Sequence, residues 1–226
     1  MNPTSFDHVA LWVSQRDQIA GFLCDHLGMH EIETTDTFTL VGAHAREGKV
    51  TLFDAEGPRD PSALERIVLR VSDLDEAVSR LPDGLEVDRE DGIARFEGPE
   101  GLGLGLAAGA GELEYDLDHV VLRVPDPERT RPELAGLGFA EQDGRLAIAD
   151  RAVELREGDQ GDLERPLLNH LAVLVDSAEE HLKEARSRQL EVEDVKDAPN
   201  TLAVYVRGPD GIRLGYVEHK PGFSLR

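Results

Sequence analysis

The chain alternates hydrophobic and polar residues in nearly the same way at four places. Residues 6–13, 117–124 and 168–175 each contain a histidine followed by an alternating apolar run. Residues 65–71 form a fourth copy, with Arg66 in the place of the histidine. Starts that recur roughly every 50 to 60 residues indicate an internal repeat. One structural unit has therefore been used four times.

Each unit is predicted to contain a strand, a helix and three more strands. The opening run has the period of a half-buried strand, and apolar residues at helical spacing follow it. A serine with an acidic residue three positions later predicts the start of a helix at Ser14, Ser72 and Ser177. In unit three, Pro132 is expected in the first helical turn. The predicted fold class is α+β, with four βαβββ modules.

The stretch from Ala107 to Asp116 is the most linker-like part of the chain, because it is rich in Ala and Gly and then turns acidic. We place a domain boundary there. Residues 1–108 are expected to form an N-terminal pair of units and residues 117–226 a C-terminal pair.

The charge of the chain excludes some classes of partner. Its formal net charge is -22, which repels nucleic acids and anionic membranes unless a basic patch overcomes it. No apolar run approaches the roughly 18 residues of a membrane span, we expect no secretory signal, and the single cysteine, Cys24, excludes an internal disulfide. We expect a cytoplasmic protein that binds a small molecule, with a homo-oligomer as an option.

Strand alternation predicts where chemistry could occur. It places His119 and His170 on one face of their strands, opposite the helices, and turns Glu154 toward the same face. Two neutral imidazoles and a carboxylate suit a divalent transition metal, with iron(II) first and manganese or zinc as alternatives. The competing interpretation is that both histidines are structural. Arg66 also points inward, where a charge needs a partner or an anionic ligand.

These features resemble a known family. The four units, the Asp-His-Val and Asn-His-Leu-Ala starts and the Gly-Pro-Asp-Gly turn at residues 208–211 resemble the vicinal oxygen chelate superfamily, which includes glyoxalase I, bleomycin-resistance proteins and extradiol dioxygenases. The resemblance implies two incompletely closed, eight-stranded cups. The positions that it assigns to metal ligands are His119, Glu154, His170 and Gly215 in the C-terminal pair and His8, Leu52, Arg66 and Gly105 in the N-terminal pair.

The resemblance also implies an activity. The closest branch implied is that of catechol 2,3-dioxygenases, which would make the protein a divalent-metal enzyme acting on a small, aromatic substrate with vicinal oxygens. His119, Glu154 and His170 would hold the metal, and Tyr205 would be the catalytic residue that hydrogen-bonds the substrate. Gly215 has no side chain to ligate, and Glu218 faces the helix side by alternation, so Glu154 serves as the carboxylate.

Two alternatives stay open at this point. The first is a non-catalytic protein of the bleomycin-resistance kind, which sequesters a small ligand in a cup; the absence of a ligand at Gly215 favours it. The second concerns pairing: if unit one paired with four and two with three, His8 and His170 would share one cup, and His119 and Glu154 the other. The remaining histidines, His181 and His219 among them, are expected at the surface.

Overall fold

The computed structural model describes residues 1–161 and 164–223 of the chain. Within them the chain forms two eight-stranded mixed sheets and four α-helices. The helices are α1 (Arg16–His26), α2 (Leu74–Ser79), α3 (Pro127–Gly136) and α4 (Ala178–Ser187). The strands are β1 (Ser5–Val13), β2 (His30–Thr34), β3 (Phe38–Gly42), β4 (Lys49–Asp54), β5 (Leu64–Val71), β6 (Asp88–Glu90), β7 (Ile93–Glu97), β8 (Gly103–Ala108), β9 (Asp116–Val124), β10 (Ala140–Gln142), β11 (Arg145–Ile148), β12 (Arg151–Glu157), β13 (Leu168–Leu174), β14 (Val192–Asp197), β15 (Thr201–Arg207) and β16 (Arg213–His219).

The order of elements confirms the predicted α+β fold of four βαβββ modules, because each unit contributes one strand, one helix and three strands. The helix starts are less uniform than predicted. Ser177 caps α4 by accepting a hydrogen bond from the Glu180 amide, but Asp73 rather than Ser72 caps α2. Ser14 donates instead to Glu100, and Pro132 lies inside α3 rather than in its first turn, which Pro127 occupies.

The pairing of units corrects the predicted domains. One sheet has the order β14-β15-β16-β13-β1-β4-β3-β2 and joins unit one to unit four; the other, β10-β11-β12-β9-β5-β8-β7-β6, joins unit two to unit three. Residues 1–108 and 117–226 therefore do not form separate cups, and the stretch 109–115 connects two units of the same sheet. The second pairing considered from the sequence is the one that the structure has.

Antiparallel pairing of opening strands holds each sheet together at its centre. Strand β1 pairs with β13 and β5 with β9, and each of these four strands also pairs in parallel with the last strand of its own unit. All four opening strands carry the same apolar alternation. Each could therefore pair with any of the other three and still keep its apolar side chains on the helix side. The local pattern fixes which face is buried, and the tertiary structure decides the partner.

A single large core lies on the helix side of both sheets. It contains Val9 and Leu11 of β1, Ile67 of β5, Val120 of β9 and Leu171 of β13, all almost fully buried. Two small apolar clusters lie on the opposite face of the sheets, one in each. We call this opposite face the inner face, and we call the sheet of units one and four the first cup and the sheet of units two and three the second cup.

Among the residues that the structure describes, no helix is long and apolar enough to cross a membrane.

Candidate functional site

Two histidines meet at the centre of the first cup. His8 on β1 and His170 on β13 lie on adjacent antiparallel strands, and their Nε2 atoms are 3.0 Å apart. A register shift between Phe6 and His8 lets Asp7 bulge out of the ladder. His170 is 2% exposed, so the pair belongs to the interior of the cup rather than to its surface.

The partners of the two rings fix their protonation. His8 Nδ1 lies 2.5 Å from the carboxylate oxygen Oδ2 of Asp7, which can only accept, so this Nδ1 carries a proton. His170 Nδ1 lies 3.0 Å from Oδ1 of Asn169, which also accepts a hydrogen bond from Arg213. When both rings are neutral, the lone pairs of the two Nε2 atoms therefore point into the same space between the rings. Such an arrangement requires a shared proton or a cation between them.

The two rings fit a metal ion. Burial, and after it the nearby charges of His8 and Arg213, lower the pKa of His170 well below its usual value, so this imidazole stays neutral. A metal needs a neutral imidazole whose other nitrogen donates to a fixed oxygen, as in both rings here. The two Nε2 atoms, 3.0 Å apart, would be the nitrogens that hold such an ion.

Asp7 organises the polar side of this pair. It is 2% exposed, and it accepts hydrogen bonds from Lys49 Nζ at 3.0 Å and from His219 Nε2 at 2.8 Å. Burial raises the pKa of Asp7, but the charge of Lys49 and the hydrogen bonds from His219 and His8 outweigh it, and the pKa lies well below its usual value. The prediction of a surface position for His219 was wrong. Its alternation with Gly215 and Val217 along β16 is the signal that could have placed it on the inner face.

The resemblance assigns two further metal-ligand positions to the first cup, and neither has a side chain that could bind a metal. The sequence assigned one of them to Leu52, but Leu52 belongs to the core on the helix side, and Thr51 takes the inward position opposite Ala10. The other is Gly215, where an added Cβ would lie 3.0 Å from Cε1 of Tyr205. The Tyr205 ring therefore occupies the space that a side chain at position 215 would need.

Tyr205 lies beside the histidines, as alternation predicted. Its ring centroid is 5.0 Å from that of His170 in an edge-on arrangement, and the Arg213 guanidinium lies 4.0 Å from the centroid of the tyrosine ring. Burial raises the pKa of Tyr205, so its hydroxyl stays protonated at neutral pH. The side chain can donate a hydrogen bond to a ligand oxygen.

Aromatic side chains line the rest of this inner face. Trp12 on β1 packs against Phe53 on β4, with ring centroids 5.5 Å apart, and Phe38 on β3 lies 5.7 Å from Phe53. All three are half-buried. The first cup thus combines two histidines with an aromatic wall, which suits a small planar ligand.

His119 and Glu154 come together in the second cup. His119 Nδ1 lies 2.7 Å from Asp118 Oδ1, and its Nε2 lies 3.8 Å from Glu154 Oε2. This Nε2 is buried and has no hydrogen-bond partner among the described residues. Two of the three predicted metal ligands are therefore neighbours, while the third, His170, lies in the other sheet. No group of three or more His, Cys, Asp or Glu side chains that could hold a metal occurs in residues 1–161 and 164–223.

The second cup does not fit a cation. Glu154 Oε1 accepts from Arg156 Nε at 2.8 Å, and Oε2 lies 3.0 Å from Arg145 Nη2. Burial raises the pKa of Glu154, but these two arginines outweigh it and lower the pKa below its usual value. Both carboxylate oxygens are thus committed to guanidinium groups, whose charge opposes a metal beside His119.

Comparison with known proteins agrees with this architecture. Residues 5–101 match the Glyoxalase/Bleomycin resistance protein/Dioxygenase superfamily. The fold is similar to that of a Bacillus subtilis protein provisionally assigned as a dioxygenase, at 18% identity and a TM-score of 0.80, with 98% of this chain and 87% of that chain covered. Glyoxalase I from Zea mays aligns at 18% identity and a TM-score of 0.70, with 95% and 92% covered.

A third structure, the cppA protein from Streptococcus pneumoniae TIGR4, aligns at 15% identity and a TM-score of 0.66, with 96% of this chain and 99% of that chain covered. No curated protein sequence matches the chain. At these identities the structural likeness establishes the fold. The match to the superfamily model covers residues 5–101, which lie within units one and two of the four.

Proposed function

We propose that the first cup binds a divalent transition metal through the Nε2 atoms of His8 and His170, and acts on a small aromatic ligand with two adjacent oxygens. The observation that carries the proposal is the 3.0 Å approach of these two nitrogens, each on a ring whose other nitrogen is held by an oxygen acceptor. Iron(II), manganese and zinc are the candidates, because imidazole nitrogen suits all three.

The residues of the cup have separate roles in this proposal. Asp7 and Asn169 hold the two rings in the tautomer that presents Nε2. A bound divalent ion would polarise the two ligand oxygens. Tyr205 donates a hydrogen bond to one of them, and Trp12 with Phe53 packs against the ring of the ligand. Because Thr51 and Gly215 leave coordination positions free, the ligand can supply the missing oxygen donors.

This proposal changes the centre expected from the sequence. The catechol 2,3-dioxygenase resemblance placed the metal on His119, Glu154 and His170, but these residues lie in two different sheets. The proposed centre keeps His170 and Tyr205 and replaces His119 with His8. Metal-assisted chemistry on vicinal oxygens remains the proposed activity, with ring cleavage one of the reactions to be assayed.

Elemental mass spectrometry of protein purified without a nickel column tests the metal centre. We expect about one iron, manganese or zinc ion per chain, or uptake of one of them on anaerobic titration, and loss of that metal in both His8→Ala and His170→Ala. The matched control is His119→Ala, which removes the equivalent histidine of the second cup. Metal loss in His119→Ala alone, or no uptake by the unaltered protein, contradicts the proposal.

A second candidate function is a metal-free cup that only sequesters a small ligand. The absence of ligating side chains at Thr51 and Gly215 favours it. Trp12 is the one tryptophan of the chain and lies on this inner face, so its fluorescence reports on ligand binding directly. If catechol quenches Trp12 equally with and without metal and is recovered unchanged, the binding function holds; quenching that depends on metal supports the first proposal.

A further inference from the structure

Arginines crowd the inner face of the second cup. Strand alternation places six of them there, on five strands, although the whole chain has a net charge of -22. The apolar cluster that shares this face consists of Val68, Ile93 and Val121 with Ala107 packed against it. The six are Arg66, Arg70, Arg95, Arg123, Arg145 and Arg156.

The carboxylates within the cup are fewer and are shared. Glu65 lies 3.1 Å from Arg156 and 3.2 Å from Arg123, and Glu154 is divided between Arg145 and Arg156. Asp118 pairs with Arg70 at 2.9 Å. Arg95 pairs with Glu90, and Arg70 also contacts Asp150, but both of these acids are more than half exposed. The interior of the cup therefore keeps an excess of positive charge.

Arg66 is the most weakly paired of these cations. Its one ionic contact among the described residues is with Glu65, at 3.5 Å, whereas its Nε is buried with no hydrogen-bond partner. Arg95 Nε is in the same situation. Burial lowers the pKa of Arg66, and the like charges of Arg95 and Arg156 lower it further against the effect of Glu65. A partly buried guanidinium with so few partners is stabilised when a ligand anion pairs with its accessible nitrogens.

The side chains of Arg66 and Arg95 also line a cavity, although their unpaired Nε atoms are buried away from it. It has a volume of about 1040 Å³ and is lined by Arg66, Arg95 and Arg123 and by the carboxylate of Glu65. Leu85, Val87 and Phe96 also line it, at the edge of the sheet where they pack against the helix-side core. Exposed acids, Glu86, Asp88 and Glu97, stand around it. The guanidiniums favour an anion inside, the apolar side chains favour an organic one, and the acids at the rim oppose a long polyanion such as a nucleic acid.

We propose that the second cup is a binding site for a small organic oxyanion, with a carboxylate or phosphate group bound by Arg66 and Arg95. Arg66 occupies the strand position that His8 has in the first cup. The second cup thus has the guanidinium of Arg66 where the first cup has the imidazole of His8. The guanidinium carries a positive charge without a bound metal. Guanidinium binds both kinds of oxyanion through paired hydrogen bonds. The inference does not depend on a metal in the first cup.

Isothermal titration calorimetry on metal-free full-length protein tests this site, with citrate and inorganic phosphate as separate probes. We expect at least one of them to bind, with an affinity that falls as salt increases. Arg66→Gln should weaken binding by at least about tenfold, since a hydrogen-bonded charge is lost, and Arg66→Lys should recover part of it. Stronger binding of citrate assigns the site to carboxylates, and stronger binding of phosphate to phosphate esters.

The controls separate this site from general electrostatics and from the first cup. Arg207→Gln removes the same charge from an arginine of β15, and His170→Ala alters the first cup; both should bind the anion as the unaltered protein does. Arg66→Gln should not lower the melting temperature of ligand-free protein, because it removes a poorly paired and partly buried charge. Arg95→Gln serves as the second variant if Arg66→Gln fails to fold. Absence of binding to both probes, or equal binding by Arg66→Gln, overturns the proposal.

Discussion

The two cups share one scaffold but have opposite inner faces. In the first, the central antiparallel strands bring together two histidines, His8 and His170, with aromatic neighbours. In the second, the same two strand positions carry Arg66 and His119, and arginines surround them. The helix-side core of both is largely apolar, with the buried Arg151–Asp116 ion pair as an exception. The comparison shows that the repeat conserves packing on one face while the other face is free to acquire different chemistry.

The acidic residue before the histidine makes the sharpest contrast between the cups. Asp7 precedes His8 and Asp118 precedes His119, and both lie at bulges in the central pairing. Asp7 is almost completely buried and pairs with buried Lys49. Asp118 is 22% exposed in its side chain and pairs with Arg70. The aspartate before the histidine therefore contributes differently to the free energy of unfolding in the two cups.

The largest expected effect comes from Asp7→Asn. Removing this charge leaves the buried ammonium of Lys49 without a carboxylate, with only the carbonyls of Ala45 and Arg46 as acceptors. We expect a loss of about 3 to 5 kcal/mol in the free energy of unfolding. Urea denaturation followed by circular dichroism measures it. A loss below about 1 kcal/mol would mean that the carbonyls of Ala45 and Arg46 or solvent suffice for Lys49, and that the first cup does not depend on this pair.

Asp118→Asn should cost less and should depend on pH. Burial raises the pKa of Asp118, but hydrogen bonds from His119 and Arg70 outweigh it and lower the pKa from 3.8 to about 2. The folded state then holds the proton more weakly than the unfolded state, so this group stabilises above pH 3.8 by about 2 kcal/mol and less as pH falls toward 2.

Denaturation of both proteins between pH 7 and about pH 2.5 checks this sign. The difference in stability between the unaltered protein and Asp118→Asn should be greatest at neutral pH and should shrink below pH 3.8. A difference that stays constant across this range would show that the carboxylate charge of Asp118 contributes nothing, and that only its packing matters.

The smallest expected effect is that of Thr51→Glu, which tests whether the metal binds in the first cup. Thr51 holds the strand position that Glu154 holds in the second cup. We expect Thr51→Glu to add a carboxylate ligand beside His8 and His170 and to tighten divalent metal binding by about tenfold, close to 1.4 kcal/mol. Thr51→Gln is the matched control, because it has the same shape without the charge. Equal affinities in the two variants would place the metal away from Thr51.

Much of the fold was accessible from the sequence. The repeated alternation predicted the four modules and the α+β class, and it placed His119, Glu154, His170 and Tyr205 on inner faces. Glu218 also faces the helix side as alternation required, since its carboxylate accepts a hydrogen bond from the first residue of α4. These features follow from the period of two along a strand, which is local.

The arrangement of side chains at the centre of the first cup could not be predicted from strand alternation. The bulge at Asp7, the inward position of Thr51 in place of Leu52 and the hydrogen bond of His219 to Asp7 all depend on the register of one strand against another. A shift of one residue exchanges the two faces of a strand. Sequence alternation alone could not fix where each shift occurs.

The sequence by itself therefore determined the repeating unit, the burial of its helix side and the inner-face positions of His119, Glu154, His170 and Tyr205. Only the tertiary structure decided that unit one pairs with unit four and unit two with unit three. The physical reason is that the opening strands of all four units present nearly the same apolar face, so strand pairing is a choice among similar partners made by long-range packing. That choice unites His8 with His170 and separates His170 from His119 and Glu154.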